Sequence, residues 1–245
     1  MIPRVFVGFD KIEDNTALIE GGDVNYLKNV LRLKVGDEVS IMDSKSKEYS
    51  AKITVIDKDM IKVDLIAEKH PKSESKVKLT LAQGIPKNPK MDFVVQKATE
   101  LGVLRIIPVK TERSIVKIEG EKEEIKVNRW QKIAKEAAEQ SGRLIIPFVE
   151  QIRDLKEVLR LCSDFDKCII LWEMEKENTI KKFLQENKSI KSLLLLIGPE
   201  GGFSHDEVEL AKSHGFIPVT IGSRILRTET ASIAVLSMID YELEL

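Results

Sequence analysis

The sequence predicts an α/β protein in two parts: a small β-rich unit, then a larger unit built on a mainly parallel sheet. Three observations carry that expectation. Short runs alternating apolar with polar residues fill the first part, strand and helix patterns alternate from Val77 onward, and the polar stretch from His70 to Lys76 separates the two rhythms. At 245 residues the chain is long enough for one large domain or two unequal ones.

In the first unit, strands are expected over Arg4 to Val7, Glu38 to Met42, Tyr49 to Ile56 and Ile61 to Ile66, because their apolar residues alternate. They curl into a small barrel. Between the early strands, Asp23 to Leu33 reads as a helix with Val24, Leu27, Val30 and Leu31 on one face and Asp23 as its cap, plugging that barrel. The first unit is placed at residues 1–70, a linker at 71–76, and the second unit at 77–245.

The second unit opens with a strand over Val77 to Ala82, a helix over Met91 to Leu101, a strand over Arg105 to Val109 and a helix over Val127 to Ser141. It continues with strands over Cys168 to Trp172, Leu193 to Ile197 and Ile217 to Ile221, and helices over Thr179 to Glu186, His205 to Ser213 and Thr230 to Leu243. Such alternation implies a sheet covered on both faces, with ligands beyond the strand C-termini. The last helix carries Ile233, Val235, Leu236, Met238 and Ile239 around most of its girth, which suits a deep core or a face shared with a partner.

Composition excludes several classes. The formal net charge is -1, so neither a uniformly basic nucleic-acid coat nor disorder by self-repulsion is supported. The charge is uneven, however: residues 1–75 carry -2, residues 76–150 carry +5 and residues 151–245 carry -4. A basic middle points weakly to a phosphate-rich partner, and a solvated helix face would look the same. Cys162 and Cys168 have the spacing of neither a redox pair nor a zinc ligand set, and His70, His205 and His214 show no ligand spacing, so no metal is expected. No secretory apolar core and no membrane-length apolar run is present, so a soluble, cytoplasmic protein is expected.

Two loops stand out as ligand sites. Ser192 to Glu207 runs from an apolar strand through Gly198, Gly201 and Gly202 to Ser204 and Glu207, a capping box that opens the next helix. Val219 to Ala231 repeats the plan, with Gly222 in the loop, Arg224 and Arg227 as cationic donors, and Thr228 or Glu229 at the helix start. Neither loop matches the dinucleotide or triphosphate signature. Ordinary tight turns and surface ion pairs remain the alternatives at this point.

Four motifs carry a resemblance: LLLLIGPEGGFS at Leu193 to Ser204, IGSRILRTETA at Ile221 to Ala231, KMDFVVQKATELGV at Lys90 to Val103 and KIAKEAAEQSGR at Lys132 to Arg143. With PRVFV at Pro3 to Val7 and YLKNVLRLKVGDEV at Tyr26 to Val39, the chain resembles the RsmE family of ribosomal RNA methyltransferases, in the SPOUT superfamily, over nearly its whole length. It departs from the family pattern at Asn25 and Tyr26, where a His pair is frequent, and at Ser223, where a proline is frequent.

The resemblance implies a PUA-like RNA-binding β-barrel followed by an α/β methyltransferase domain with a deep trefoil knot. It also implies S-adenosylmethionine as cofactor, a homodimer, and 16S rRNA in the small ribosomal subunit as substrate, methylated at N3 of a uridine near the 3′ end. Carried over by motif, the cofactor is expected at Ile197, Gly198, Pro199, Glu200, Gly201, Ile221, Gly222, Leu226 and Arg227, and catalysis at Arg227 with Glu229 or Glu200 as proton acceptor. Arg4, Arg32, Lys87, Lys90, Arg113 and Arg143 are expected to contact RNA, with Arg105, Lys110 and Arg129 as further basic residues of the middle third. Two rivals stay open: a related methyltransferase acting on another nucleotide, and an RNA-binding assembly factor without turnover.

Overall fold

The structure, a computed structural model, describes residues 2–43, 45–70, 74–87, 89–114 and 120–243. By contact the chain divides into two units, Met1–Glu74 with Ala138–Ile145, and Ser75–Ala137 with Ile146–Leu245. The sequence did not foretell that Ala138–Ile145 groups with the first unit. Of the expected linker, residues 71–73 lie outside the described residues.

The first unit holds β1 (Arg4–Val7), β2 (Ile12–Glu13), β3 (Thr16–Glu20), β4 (Glu38–Asp43), β5 (Glu48–Ile56) and β6 (Met60–Lys69). They form one curled sheet in the order β1-β4-β5-β6-β3-β2, antiparallel except for β1 on β4. Strands β2 and β3 were not anticipated. Alternation delivers Val5, Val7, Ala17, Ile19, Val39, Ile41, Ile53, Ile61 and Val63 to one interior.

The helix between β3 and β4 departs from expectation. It is a turn of α-helix, α1 (Gly22–Asn25), continued by a wider π-turn over Tyr26–Val30, and no side chain caps its start. Val24 and Leu27 are buried, whereas Val30 and Leu31 are 61% and 37% exposed. Widening the helix rotates later residues off the inward face, so a spacing rule based on 3.6 residues per turn fails after Leu27.

The second unit follows as β7 (Lys78–Gly84), α2 (Lys90–Glu100), β8 (Arg105–Lys110), α3 (Glu121–Ser141), β9 (Phe148–Val149), β10 (Arg153–Asp154) and α4 (Leu155–Arg160). Then come β11 (Lys167–Leu171), α5 (Ile180–Glu186), β12 (Ser192–Ile197), α6 (His205–Ser213), β13 (Ile217–Val219) and α7 (Thr228–Leu243). The sheet is parallel throughout, in the order β10-β8-β7-β12-β11-β13, with β9 on β8.

Strand β12 is central, which explains its unbroken apolar run: Leu193, Leu194, Leu195 and Leu196 are all buried, facing alternately two clusters. One cluster joins the sheet to α2, α3, α5 and α7, the other to α4 and α6. Thr179 caps α5, its hydroxyl accepting from the Lys182 amide at 3.2 Å. Among the described residues, no helix is long and apolar enough to cross a membrane.

Candidate functional site

Beyond the C-terminal ends of β11, β12 and β13 lies a cleft of about 700 Å³. Three loops line it: Trp172 to Lys176 after β11, Gly198 to Phe203 after β12, and Thr220 to Thr228 after β13. The ends of parallel strands form such a crevice because each chain must turn out of the sheet toward its helix there.

The loop after β12 owes its path to its glycines and its cap. A Cβ on Gly198 would stand 3.1 and 3.2 Å from main-chain atoms of Gly202 and 3.2 Å from the Phe203 ring, so packing demands glycine there. Gly202 has φ +63°, and the Glu173 carboxylate lies against it. The predicted capping box is present: the Ser204 hydroxyl accepts from the Glu207 amide at 3.3 Å and the Ser204 amide donates to Glu207 at 2.9 Å. In the loop after β13, Gly222 has open space around it but a φ of +128°, so backbone conformation requires glycine there.

Beneath both loops sits Gln83 on β7, fully buried. Its side-chain amide donates to the carbonyl oxygens of Gly84 at 3.0 Å and Gly198 at 3.3 Å and to the Thr228 hydroxyl at 2.9 Å. Thr228 in turn donates to the Gly198 carbonyl at 2.6 Å. That carbonyl is therefore turned into the protein.

At the rim, the Lys90 ammonium stands 3.1 Å from Glu200 and 3.3 Å from Glu229. Burial pushes the Glu200 carboxyl up, but its own amide, the Lys87 amide and the Lys90 ammonium outweigh that and hold it below the usual carboxylate range. The same pairing with Glu200 holds Lys90 above its ordinary value. Glu200 is thus a weak proton acceptor. Glu229 lies in the first turn of α7, its Oε2 buried and held at 3.3 Å by the Lys90 ammonium. Arg227 lines the cleft, is exposed, and has no ion-pair partner among the described residues. Arg224 lies exposed on the same loop, beside Ile225, which is 84% exposed.

Two family models match the chain: RNA methyltransferase domain over residues 73–240 and RNA methyltransferase PUA domain over residues 19–66. Ribosomal RNA small subunit methyltransferase E of Bacillus subtilis is 37% identical over 237 residues, 95% of this chain and 93% of the relative. The chain belongs to the ribosomal RNA small subunit methyltransferase E family. Among solved structures, the Neisseria gonorrhoeae member bound to S-adenosyl methionine is 32% identical with a TM-score of 0.87, covering 98% of both chains. A Legionella pneumophila methyltransferase in complex with the same cofactor is 32% identical with a TM-score of 0.90, again over 98% of both.

Within this family member, the cofactor residues expected from the motifs, Ile197, Gly198, Pro199, Glu200, Gly201, Ile221, Gly222, Leu226 and Arg227, all line the one cleft. Glu229 does not line it. The expected RNA contacts scatter. Arg113 is exposed and donates to the Gly201 carbonyl at 3.0 Å, Lys87 is exposed, and Arg32 is exposed with φ +56°. Arg4 pairs with the buried Glu48 at 3.3 Å, and Lys90 is engaged as described. Arg105 pairs with Glu150, Lys110 with Glu123 at 2.7 Å, and Arg129 with Asp92 at 2.6 Å.

Arg143 is a correction. Its side chain is 3% exposed and bound to Glu74 at 2.6 Å, while Glu74 also accepts from the amides of Leu144 and Ile145. A guanidinium so enclosed fastens the segment after α3 within the first unit and cannot reach RNA phosphate.

Sequence reasoning missed Gln83, Trp172 and Glu173. The signal for Gln83 was a lone amide between Leu79-Thr-Leu-Ala82 and Gly84 on a buried strand, which is costly unless the amide is fully bonded. For Trp172 and Glu173 it was their position at the C-terminal end of a central strand. Among the described residues no group of three or more His, Cys, Asp or Glu could hold a metal ion.

Proposed function

We propose that this chain transfers a methyl group from S-adenosylmethionine to N3 of a uridine near the 3′ end of 16S rRNA in the small ribosomal subunit. The observation that carries the reading is the cleft: two glycine loops and the guanidinium of Arg227, which has no ion-pair partner among the described residues, meet there in a chain of this family.

The cleft fits the cofactor. A volume of about 700 Å³ lies in the range of small-molecule sites, and its walls combine Leu171, Ile197, Leu226 and Ala231 with loop main chain. Apolar side chains suit an adenine face and main-chain groups suit its polar edge. When bound, S-adenosylmethionine supplies a sulfonium methyl that is already electrophilic. The residues of the chain then have to position the reactants, exclude water and manage charge on the nucleobase.

Uridine N3 carries a proton, and negative charge spreads to the two carbonyl oxygens as it leaves. A guanidinium placed at those oxygens stabilises that anion, and Arg227 is the residue we assign to it. Glu200 is a weak acceptor for the reason given above and Glu229 does not line the cleft, so the main contribution of the site is stabilising the imide anion. Neither cysteine lies among the residues lining the cleft, and burial pushes the Cys168 thiol far up, so a covalent C6 adduct of the pyrimidine has no nucleophile in the cleft.

We assign the curled first unit to RNA contact through Arg32 and Arg4, with Arg113 and Lys87 serving in the second. We further propose a cytoplasmic homodimer through α7 and α2, whose Met238, Tyr241 and Phe93 are 39%, 71% and 43% exposed. We also assign a trefoil knot to the second unit. Supporting it, β11 lies between β12 and β13, yet α7 returns past β12 to α2.

The test is to react the protein with labelled S-adenosylmethionine and 16S rRNA or small subunits, digest the RNA and identify the labelled nucleoside. Label in 3-methyluridine supports the proposal. Label on ribose oxygen or a base carbon selects a methyltransferase of another specificity, and absence of turnover with retained RNA binding selects the assembly factor.

A further inference from the structure

We propose that Gln83 is a positioning residue for the methyl-transfer site: one buried side-chain amide clamps the loop after β12 to the loop after β13 and sets the width of the cleft. The inference rests on the reading that this cleft holds S-adenosylmethionine.

Gln83 is 0% exposed and stands opposite Ile197 in the β7–β12 ladder, directly below the point where the first loop leaves the sheet. Its two amide protons are shared over three acceptors, at Gly84, Gly198 and Thr228. On its other side, the Ser232 hydroxyl lies 2.6 Å from Gln83 Oε1 and 2.9 Å from the Thr228 carbonyl. Thr228 and Ser232 are 5% and 1% exposed. The Gly198 carbonyl starts one arm of the cleft, and Thr228 ends the other.

A fully buried amide needs its donors and its acceptor all paired, whatever its role. This one ties three chain segments far apart in sequence, and only an amide carries both the donors that Gly198 and Thr228 need and the acceptor that Ser232 needs. Carboxylate, hydroxyl or aliphatic replacements each leave buried polar atoms unpaired at the base of the loops. Neighbouring Gly84 adds to the constraint: a Cβ there would stand 2.6 Å from the Pro199 ring, so β7 presses directly against the loop.

The experiment compares wild type with Gln83→Leu and Thr228→Val, using Thr99→Ala as a control for a lost buried hydroxyl in a residue that does not line the cleft. S-adenosylmethionine and S-adenosylhomocysteine affinities are measured by calorimetry, and KM and kcat with RNA substrate. Because bound cofactor can restore the loop spacing, Gln83→Leu should weaken cofactor binding roughly tenfold or more. Its kcat at saturating cofactor and its KM for RNA should stay within about threefold of wild type, since loop spacing is restored once cofactor is bound. Thr228→Val should act in the same direction, and the double variant should be less than additive, because both changes act on the Gly198 carbonyl.

Cofactor affinity unchanged in Gln83→Leu, or lost equally in a Thr99→Ala protein of matching melting temperature, overturns the inference. If Gln83→Leu does not fold, Thr228→Val decides alone on the same criterion. Wild-type protein that binds neither molecule overturns the functional reading itself, and the inference with it.

Discussion

The Lys90 ammonium stands 3.1 Å from the Glu200 carboxylate, joining the start of α2 to the loop after β12. Glu229, 3.3 Å from the same ammonium, brings in the start of α7. A lysine that the charge distribution marked for RNA phosphate thus neutralises two acidic groups at the rim of the cleft.

The pairing has a pH signature. Glu200 has its carboxyl held below 4.5, so its contribution to stability is present above that unfolded value and is lost as pH falls through the folded one. Lys90→Met should therefore lower the melting temperature at neutral pH by the equivalent of about 1 kcal/mol or less, and the difference from wild type should vanish in acid below the folded value. Thermal melts across that range check it. A difference that persists in strong acid assigns the loss to packing instead.

The two loop glycines should fail differently. Gly198→Ala puts a Cβ against Gly202 and Phe203, an overpacking that costs about 1–3 kcal/mol and displaces the loop. Gly222→Ala meets no atom but forces an L-residue to φ +128°, a strain also on the order of 1–3 kcal/mol. Both should abolish or strongly weaken cofactor binding in calorimetry. Only for Gly198→Ala should trimming the neighbour, as in Phe203→Leu, recover part of the affinity.

Arg227→Ala should slow methyl transfer by about 2.7–4 kcal/mol, the loss seen when one donor to a developing anion is removed, with cofactor affinity much less changed. Arg227→Lys should recover only part, since an ammonium lacks the planar fork. Single-turnover rates at saturating cofactor, set beside calorimetric affinities, separate the two effects. Equal losses in rate and affinity would instead make Arg227 a cofactor-binding residue.

Arginines 113 and 143 share a basic region of sequence but should behave unlike. Arg143→Ala removes one partner of an enclosed ion pair and should destabilise the protein by about 3–5 kcal/mol, leaving Glu74 without its charge partner. Arg113→Ala should leave the melting temperature nearly unchanged and reduce the slope of log RNA affinity against log salt by roughly one. Denaturant melts and a salt series distinguish these. An unaltered salt slope for Arg113→Ala removes it from the RNA surface.

Strand periodicity in β1, β4, β5 and β6, the apolar run of β12, the capping box at Ser204 and Glu207 and the glycine loops at Gly198 and Gly222 were all legible in the sequence. Each depends on residues within one element or one turn, where sequence distance and spatial distance coincide. Short strands such as β2, β9 and β10 were not legible, because two residues carry no period and their pairing is made by the neighbouring strand. The long-range partners of polar side chains were decided by tertiary structure alone: Gln83 meets Thr228 across 145 positions, Lys87 meets Glu200 across 113, and Arg143 meets Glu74 across 69. Charge and amide patterns state what a side chain can bond to, but hydrogen bonds and ion pairs act only over a few ångströms. The parallel sheet, by bringing the ends of β7, β12 and β13 together, determines which of those groups come within reach.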